Sequence, residues 1–357
     1  MADRFRIDSH KLMYHLPRVA SWLEGGEPVY PIAMEASPSG ACNHRCLFCA
    51  VDYLEYKPRF LDAAIWKTRV TELAALGVKS IMYAGEGEPL LHREIAGIVG
   101  HTQAAGIDAS LVTNAALLRE DLAAELLPSL EWVKVSCNAG TAATYAAVHR
   151  TRIEDFERVM TNLAAAVRIR RERALCCTLG IQTLLLPENA GEIATLAARA
   201  REIGLDYLVV KPYSHFDASK TTRYKGIRYE DFMGLAAAVQ AEASDTFSVV
   251  VREETMRAWG QPGRSYGRCL ALPFYSYVSA DGTVWGCKEY LGDERFAFGN
   301  VNEQTFREIW EGPRRAALMR MVADELDVRG CRTNCRLDKM NRWLWDVTHP
   351  PGHVNFI

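Results

Sequence analysis

The chain has 357 residues, with 42 Lys and Arg against 44 Asp and Glu, which gives a formal net charge of −2. This near balance argues against electrostatic binding to nucleic acid or to an anionic membrane surface, so we expect neither as a partner. Hydrophobic residues make up 49% and charged residues 24%, as in ordinary folded proteins. The sequence contains no apolar run of transmembrane length and no secretory signal, which predicts a cytoplasmic protein.

After an N-terminal extension predicted over 1–28, short β-rich runs alternate with Leu- and Ala-rich stretches of helical spacing. The predicted strands cover 31–37, 80–85, 108–114, 132–138, 176–185 and 207–213. The predicted helices between them include 62–76, 91–105, 118–127, 153–173 and 189–203. Strands that alternate with helices in this way indicate βαβ units around a parallel sheet. We therefore predict an α/β fold whose core, 29–225, is a partial (β/α)6 TIM-like barrel.

The composition changes after this core. A connecting segment, 226–263, contains helix and one strand (TFSVVVREE) and ends in a Gly- and Pro-rich stretch. The following run YSYVSADGTVWGC predicts a β-hairpin that turns at Asp281–Gly282, because Asp-Gly is a strong hairpin turn signal. A short helix over NEQTFREIWEG follows. We predict a small C-terminal α+β domain over 264–357.

Ten cysteines are present, and the sharpest cluster is Cys42-x3-Cys46-x2-Cys49, directly after the first predicted strand. In a reducing cytosol such a cluster more often binds metal than forms disulfides. Clusters of the [4Fe–4S] type normally take four Cys ligands, so three thiolates leave one iron with an open coordination position. The alternative is a zinc site with a distant fourth ligand.

The cysteine motif, with Phe48 before its last Cys, resembles the signature of the radical S-adenosylmethionine (radical SAM) superfamily. The resemblance covers about residues 30–215. The run Gly85-Glu86-Gly87-Glu88-Pro89 is similar to the family's GGEP element, with Glu86 in place of the first glycine. In that family this element receives the amino group of the bound methionine. The resemblance implies that these five residues bind S-adenosylmethionine, whose cleavage yields a radical that abstracts hydrogen from an unactivated C–H bond.

Four polar residues lie near the carboxyl ends of predicted strands, which is the end that carries the site in α/β barrels. They are Asn114, Ser136, Asn138 and Gln182. Side chains alternate across a strand, so we expect Ser136 and Asn138 to share the inward face and Cys137 to face away. The family often has a polar residue here that contacts the ribose or the methionyl carboxylate. The alternative is that these residues satisfy backbone groups of the barrel.

A second set of cysteines with ligand-like spacing lies in the C-terminal part, at Cys269, Cys287, Cys331 and Cys335. The segment ADGTVWGCKEYLGDERFAFGNVNEQTFREIWEG resembles the SPASM/twitch extension of radical SAM enzymes. Four Cys favour the shorter twitch form, with one auxiliary [4Fe–4S] cluster, and a structural zinc site is the alternative. The Cys spacing is similar to that of 2-deoxy-scyllo-inosamine dehydrogenases, in which the auxiliary cluster is thought to accept the second electron of an alcohol oxidation.

Candidates for substrate binding or proton transfer lie after the sixth predicted strand and after SCNAG. They are Lys211, Tyr213, His215 and Arg150, with His149 beside the last. A proton acceptor would help the oxidation, because a ketyl radical gives up its electron more readily once deprotonated. The other three cysteines, Cys137, Cys176 and Cys177, are expected to be structural, which leaves no evident thiol hydrogen donor for an epimerisation.

The sequence therefore predicts a radical SAM oxidoreductase that oxidises a secondary alcohol of a sugar or aminocyclitol, with a flavodoxin or ferredoxin as electron donor. Only 41 residues precede Cys42, too few for a fused leader-peptide-binding domain, which favours a small polar substrate over a peptide. Two alternatives stay open. One is epimerisation of a carbohydrate or peptide carbon, and the other is a non-catalytic iron–sulfur electron carrier or sensor.

Overall fold

The structure, a computed structural model, describes residues 5–7, 9–26, 28–260, 263–332 and 335–356. Parts of the predicted N-terminal extension, connecting segment and C-terminal domain lie outside these ranges. The strands are β1 Ala33–Ala36, β2 Ser80–Tyr83, β3 Asp108–Thr113, β4 Trp132–Ser136, β5 Thr178–Leu184, β6 Tyr207–Lys211, β7 Ser248–Val251, β8 Tyr275–Val278, β9 Thr283–Trp285 and β10 Ala297–Asn300. The helices are α1 Leu16–Glu24, α2 Ala63–Ala75, α3 Ile95–Ala104, α4 Glu120–Leu126, α5 Ala142–His149, α6 Glu154–Glu172, α7 Ile193–Ile203, α8 Leu235–Gln240, α9 Glu253–Arg257, α10 Phe306–Glu311, α11 Pro313–Asp324 and α12 Asp338–Thr348.

All ten strands form one sheet, in the order β10-β9-β8-β1-β2-β3-β4-β5-β6-β7. The pairings from β8 through β1 to β7 are parallel, and those of β9 with β8 and β10 are antiparallel. This confirms the α/β fold with a partial barrel and its six predicted strands. Two further parallel strands extend it, β7 beside β6 and β8 beside β1. The exact domain boundaries stay predictions, because the sheet runs through them.

The strands separate a helix-covered face from the interior of the barrel. On β4, Val133 and Val135 are fully buried in the layer between sheet and helices, whereas Lys134 and Ser136 face a cavity inside the barrel. Successive side chains of a strand point to opposite faces of the sheet, which gives this alternation. Among the described helices, none combines the length and the apolar character that crossing a bilayer requires.

The described residues near the N-terminus lie against the interior side of β6 and β7. Phe5 and Ile7 pack against a small cluster formed by Tyr207, Val209 and Val250, and the rings of Phe5 and Tyr207 have centroids 5.5 Å apart. Ile7 also lines the interior cavity. This segment therefore fills part of the barrel interior that the sheet leaves uncovered at its β7 edge.

Candidate functional site

The largest group of sequence-predicted residues meets at one cavity of about 520 Å³ in the barrel interior. Its walls come from the loops and strand ends that follow β1 to β6, where parallel α/β barrels carry their sites. The predicted residues that line it are Cys42, Cys46, Cys49, Gly85, Glu86, Gly87, Glu88, Asn114, Ser136, Gln182, Lys211, Tyr213 and Cys335. Residues as distant in sequence as Cys42 and Cys335 thus line one cavity.

Cys42, Cys46 and Cys49 lie on the loop between β1 and α2, and all three are free thiols at the cavity wall. Burial raises the pKa of Cys42 to about 12, and the carboxylate of Glu88 adds to the effect. Burial and the two neighbouring thiols likewise raise the pKa of Cys46 well above its ordinary value. Three mutually close, buried thiols need a cationic partner to hold them as thiolates, and an iron–sulfur cluster meets that need.

Two histidines surround Cys46. His149, the last residue of α5, has its Nδ1 3.3 Å from the Sγ of Cys46. The ligand atoms of His44, Cys46 and His149 all lie within 4.8 Å of one another, which is the arrangement that the zinc alternative would use. Both ring nitrogens of His44 are buried without a hydrogen bond to the described part of the chain, and burial lowers the pKa of His44 to about 4.

The loop Gly85–Pro89 packs directly on the cysteine loop. The backbone N–H of Glu88 donates to the carbonyl of Ala41 at 2.8 Å. A Cβ on Gly87 would lie 2.0 Å from that carbonyl oxygen, and one on Gly85 would lie 2.3 Å from the Ser37 side chain. Gly85 also has φ +121°, which disfavours other residues. The close approach that these glycines allow here is between two loops of the protein.

The carboxylate of Glu88 is held by donors from β3 and its own loop. It accepts the Thr113 hydroxyl at 2.5 Å, the backbone N–H of Asn114 at 2.8 Å and that of Leu90 at 3.1 Å. The Asn114 side chain in turn donates to the Oδ1 of Asn43 at 2.7 Å. This network joins the loop of Glu88, the end of β3 and the cysteine loop in one rigid wall, suited to orienting an ammonium group.

Glu86, the departure from the family's glycine, turns towards the C-terminal hairpin. Its carboxylate lies 3.6 Å from Arg59 and accepts the backbone N–H of Ala280 at 3.3 Å. Arg59 also pairs with Asp281 at 2.9 Å. Burial raises the pKa of Glu86 to about 7, although Arg59 opposes the rise. Glu86 therefore links the loop Gly85–Pro89 to the turn between β8 and β9.

Three of the predicted polar residues line the cavity as expected, and one does not. Ser136 and Gln182 are neighbours in the β4–β5 register, and both face the cavity with Asn114. Asn138 does not continue the alternation, because β4 ends at Ser136. It accepts the N–H of Leu184 at 2.6 Å and braces the loops instead. Pro89 is buried in a short turn and also lies outside the cavity wall.

Cys269, Cys287, Cys331 and Cys335 surround a second, small cavity of about 50 Å³. The four thiols are free, and burial raises the pKa of Cys269 to about 12, with the Cys335 thiol as the next contributor. Nearby donors face the sulfurs, including the Leu337 N–H at 3.4 Å from Cys335. Four converging thiols fit an auxiliary [4Fe–4S] cluster. Cys335 lines both cavities, so the two cysteine sets adjoin.

The four catalytic candidates divide evenly. Lys211, at the end of β6, and Tyr213 line the cavity. Burial lowers the pKa of Lys211 well below its ordinary value, and the charge of Lys134 adds to that effect. His215 is partly buried and lies outside the cavity wall, and Arg150 is exposed beyond the end of α5 with φ +49°. These two positions correct the expectation that each of the four reaches the site.

A layer of buried charged residues below the cysteine loops was not predicted from the sequence. Glu35, fully buried on β1, pairs with Lys288 and Arg336 and accepts the Tyr275 hydroxyl at 3.1 Å. Burial raises the pKa of Glu35, but Arg336 and Lys288 outweigh it and hold that pKa at about 2. The signal in the sequence was a carboxylate inside an otherwise apolar predicted strand, which rarely occurs without a charged partner.

The three cysteines outside the two sets have positions that are compatible with the expected structural role. Cys137 and Cys177 are buried, and Cys176 is exposed. The Sγ of Cys137 donates to the Ala139 carbonyl at 3.6 Å. The three lie outside the walls of both cavities.

Comparison with known proteins identifies the two parts of the chain. Residues 36–200 match the Radical SAM superfamily, and residues 269–336 match the SPASM iron–sulfur cluster-binding domain. The chain therefore carries a radical SAM domain followed by a SPASM domain. The first domain implies S-adenosylmethionine and a [4Fe–4S] cluster, and the second implies auxiliary iron–sulfur clusters, as the sequence predicted. The cysteine sets described above are the residues that fit these groups.

Individual relatives are distant. The chain is 24% identical to a PqqA peptide cyclase of Gluconobacter oxydans over 79% of its own length and 77% of that protein. It is also 24% identical to an AdoMet-dependent heme synthase of Methanosarcina barkeri, over 85% and 87%. A GTP 3',8-cyclase of Chlorobaculum tepidum is 28% identical, but the match spans only 56% of that cyclase and 53% of this chain.

Among solved structures, Streptococcus suis SuiB bound to S-adenosylmethionine has a TM-score of 0.64 at 18% identity, covering 85% of this chain and 70% of SuiB. This likeness supports the fold. The structure of BtrN with AdoMet and 2-DOIA has a TM-score of only 0.41 at 15% identity, covering 83% and 88%. The resemblance to an aminocyclitol dehydrogenase thus stays an expectation.

Proposed function

We propose that this enzyme oxidises its substrate by two electrons, removing a hydrogen atom from a C–H bond and then a proton and an electron. The observation that carries the proposal is the shared position of Cys335, which lines both the main cavity and the auxiliary cavity. A substrate in the main cavity therefore lies next to both cysteine sets. An electron acceptor so close to the substrate serves an oxidation and is not needed for a redox-neutral reaction.

When bound, S-adenosylmethionine and the two clusters supply a hydrogen-abstracting radical and a one-electron acceptor. The residues of this chain position these groups and the substrate and exclude water from the cavity. Glu88 and its donors form the fixed wall for the amino group of the methionine moiety, and Ser136 and Gln182 offer polar contacts beside it. The first electron comes from an external carrier of the flavodoxin or ferredoxin type.

Lys211 is proposed to hold the substrate. It lines the cavity at the carboxyl end of β6. Tyr213, two residues further along the same wall, is proposed to position the substrate. Overall the substrate loses two hydrogens: one leaves as a hydrogen atom to 5'-deoxyadenosine, and the other as a proton, which passes to solvent, and an electron, which passes to the auxiliary site.

Thiol chemistry favours oxidation over epimerisation. An epimerase must return a hydrogen atom to the opposite face of its substrate radical. The thiols on the main cavity wall, within the described ranges, are Cys42, Cys46, Cys49 and Cys335, and each is assigned to a cluster. Cys137 is fully buried elsewhere in the barrel wall. The described wall of the main cavity therefore offers no unassigned thiol that could donate a hydrogen atom.

The preferred substrate is a small polar molecule with a secondary alcohol, such as a sugar or aminocyclitol, which would leave as a ketone. A peptide is the second candidate, and the comparisons favour it: PqqA peptide cyclases are relatives, and SuiB has been solved bound to its precursor peptide SuiA. Both substrate classes are compatible with loss of two hydrogens, so the two candidates share the same product test.

The test uses anaerobically reconstituted, reduced enzyme with S-adenosylmethionine and candidate alcohols or peptides. We expect 5'-deoxyadenosine together with a product lighter by two hydrogens. Cys335→Ala should retain part of the 5'-deoxyadenosine formation but yield no oxidised product, whereas the control Cys176→Ala, an exposed cysteine, should match the wild type. A product of unchanged mass carrying solvent deuterium would establish epimerisation instead. Absence of 5'-deoxyadenosine with every candidate would favour the electron carrier.

A further inference from the structure

Six cationic side chains face the main cavity, which is an unusual excess for the interior of a barrel. They are Lys134, Lys211, Arg252, Lys288, Arg332 and Arg336. The acidic residues on the same wall are Glu35, Glu86 and Glu88. Buried charges are normally paired, so the pairing of each cation shows what a ligand has to supply.

Several of these charges are neutralised within the protein. Glu35 pairs with both Lys288 and Arg336. Arg332 lies 3.1 Å from Glu289, and Glu86 pairs with Arg59 outside the charged layer. The three cations Lys288, Arg332 and Arg336 also follow directly after auxiliary cysteines in the sequence, so the negative charge of a cluster there adds to their balance.

Lys134 and Lys211 have no such partner in the described part of the chain. No hydrogen bond or ion pair there engages either ammonium group, and the Nζ of Lys134 lies 5.2 Å from the centre of the Trp132 ring. The two lysines come from β4 and β6, on either side of β5, and both open on the cavity. Burial lowers the pKa of Lys134 to about 8. Arg336 adds to this effect, and Glu35, which already pairs with Lys288 and Arg336, opposes it.

S-adenosylmethionine does not supply the missing charge. It brings one carboxylate against an ammonium and a sulfonium, so its binding adds positive charge to the cavity. Lys134 is paired in register with Val112 and Gly180, one layer deeper than the neighbouring pair Ser136 and Gln182. Lys211 is paired in register with Leu184, at the strand ends, so the two lysines line the cavity at different depths.

We propose that Lys134 and Lys211 bind an anionic group of the substrate, a carboxylate or a phosphate. This inference rests on the proposed function, because it assigns the substrate class of that same cavity. An anion between two ammonium groups forms charge-assisted hydrogen bonds that are strong when shielded from water. It would fix one end of the substrate on the β4–β6 side of the cavity and leave the reacting carbon nearer to the cysteine loops.

The test measures anion binding without turnover. Reconstituted enzyme saturated with S-adenosylmethionine is titrated calorimetrically with inorganic phosphate and with acetate, at constant ionic strength against chloride. We expect at least one probe to bind the wild type, and Lys134→Met and Lys211→Met each to weaken it at least tenfold. Lys211→Arg should retain binding. The control Lys67→Met, on α2 outside the barrel and paired with Glu94, should leave it unchanged.

Iron content and thermal unfolding of each variant establish that it is folded. The inference is overturned if no probe binds the wild type, or if both Met variants bind as well as it does. It is also overturned if the Met variants lose affinity for S-adenosylmethionine while anion binding is unchanged, since the lysines would then hold the methionyl carboxylate. Failure of anion binding leaves the oxidation chemistry intact. Conversely, anion binding without any two-hydrogen loss in turnover assays refutes the proposed function alone.

Discussion

The imidazole of His149 is a neutral hydrogen-bond donor to the sulfur of Cys46. Its Nε2 accepts the backbone N–H of Asn138 at 3.1 Å, so the ring hydrogen lies on Nδ1, 3.3 Å from Sγ. Burial lowers the pKa of His149 well below its ordinary value, which keeps the ring uncharged. A hydrogen bond to a cluster sulfur stabilises the reduced, more negative state.

Replacing that donor should lower the reduction potential of the cluster that we assign to Cys42, Cys46 and Cys49. For His149→Phe we expect a shift of about −40 mV, which corresponds to the roughly 1 kcal/mol of one hydrogen bond in a one-electron couple. An anaerobic redox titration followed by electron paramagnetic resonance measures it. His101→Phe, on α3 far from the cysteines, is the control. An unchanged potential in His149→Phe with full iron content would contradict the assigned donor.

The close contact between the two site loops makes Gly87 intolerant of a side chain. Gly87→Ala places a Cβ 2.0 Å from the Ala41 carbonyl oxygen, so the cysteine loop has to move. We expect at least a tenfold loss of S-adenosylmethionine cleavage, because an ångström-scale displacement misaligns reacting groups. The control is Gly191→Ala, where an added Cβ meets nothing within 4 Å. Equal cleavage rates in the two variants would show that the loop contact is dispensable.

Removing the carboxylate at the centre of the charged layer should destabilise the fold. Glu35→Gln leaves Lys288 and Arg336 without their common counter-ion, and removing one partner of a buried pair costs about 3 kcal/mol or more. Anaerobic denaturant unfolding of the reconstituted enzyme gives the free energy of unfolding. Glu303→Gln, an exposed site, should change it by less than about 0.5 kcal/mol. Comparable values for the two variants would argue against the layer's assigned role.

Lys134→Met should raise the free energy of unfolding at neutral pH. Burial lowers the pKa of Lys134 to about 8, and Arg336, Arg252 and Lys288 lower it further while Glu35 opposes them. Below about pH 8 the folded and unfolded chains both carry the charge, so the cost of burying it is fully present. As the pH rises towards the ordinary value of 10.5, only the unfolded chain is still protonated and the cost fades.

The stabilisation by Lys134→Met should therefore shrink as the pH rises from about 8 to about 10.5. Denaturant unfolding at several pH values, without substrate, measures the difference from the wild type. Lys67→Met serves as the surface control and should show no such trend. A difference that stays constant over this window would mean that Lys134 is not held in a charge-disfavouring environment.

Local patterns were enough to predict much of the molecule. The alternation of β-rich and helical runs identified β1 to β6, and Asp281–Gly282 identified the hairpin of β8 and β9. The spacing of Cys42, Cys46 and Cys49 predicted that these thiols lie together, because residues on one short loop are close in sequence as well as in space.

Contacts between distant parts of the chain were not predictable in this way. His149 meets Cys46 across 103 positions, and β8 pairs with β1 across about 240. Nothing in either segment alone indicates its partner. Asn138 was misassigned for a different reason: strand alternation was extended two residues past the end of β4 at Ser136. The end of a strand depends on its hydrogen-bonded neighbours and is poorly defined by composition.

The pairing of β8 with β1 also has a consequence for synthesis. β1 is bordered by β2 on one side and by β8 on the other, and β8 leaves the ribosome about 240 residues later. Until then one edge of β1 exposes unpaired backbone groups, which invites association with other nascent chains. A chain cut before β8 would keep that edge open permanently. We therefore expect the isolated N-terminal portion to aggregate, so that the barrel and its C-terminal partner have to be produced as one piece.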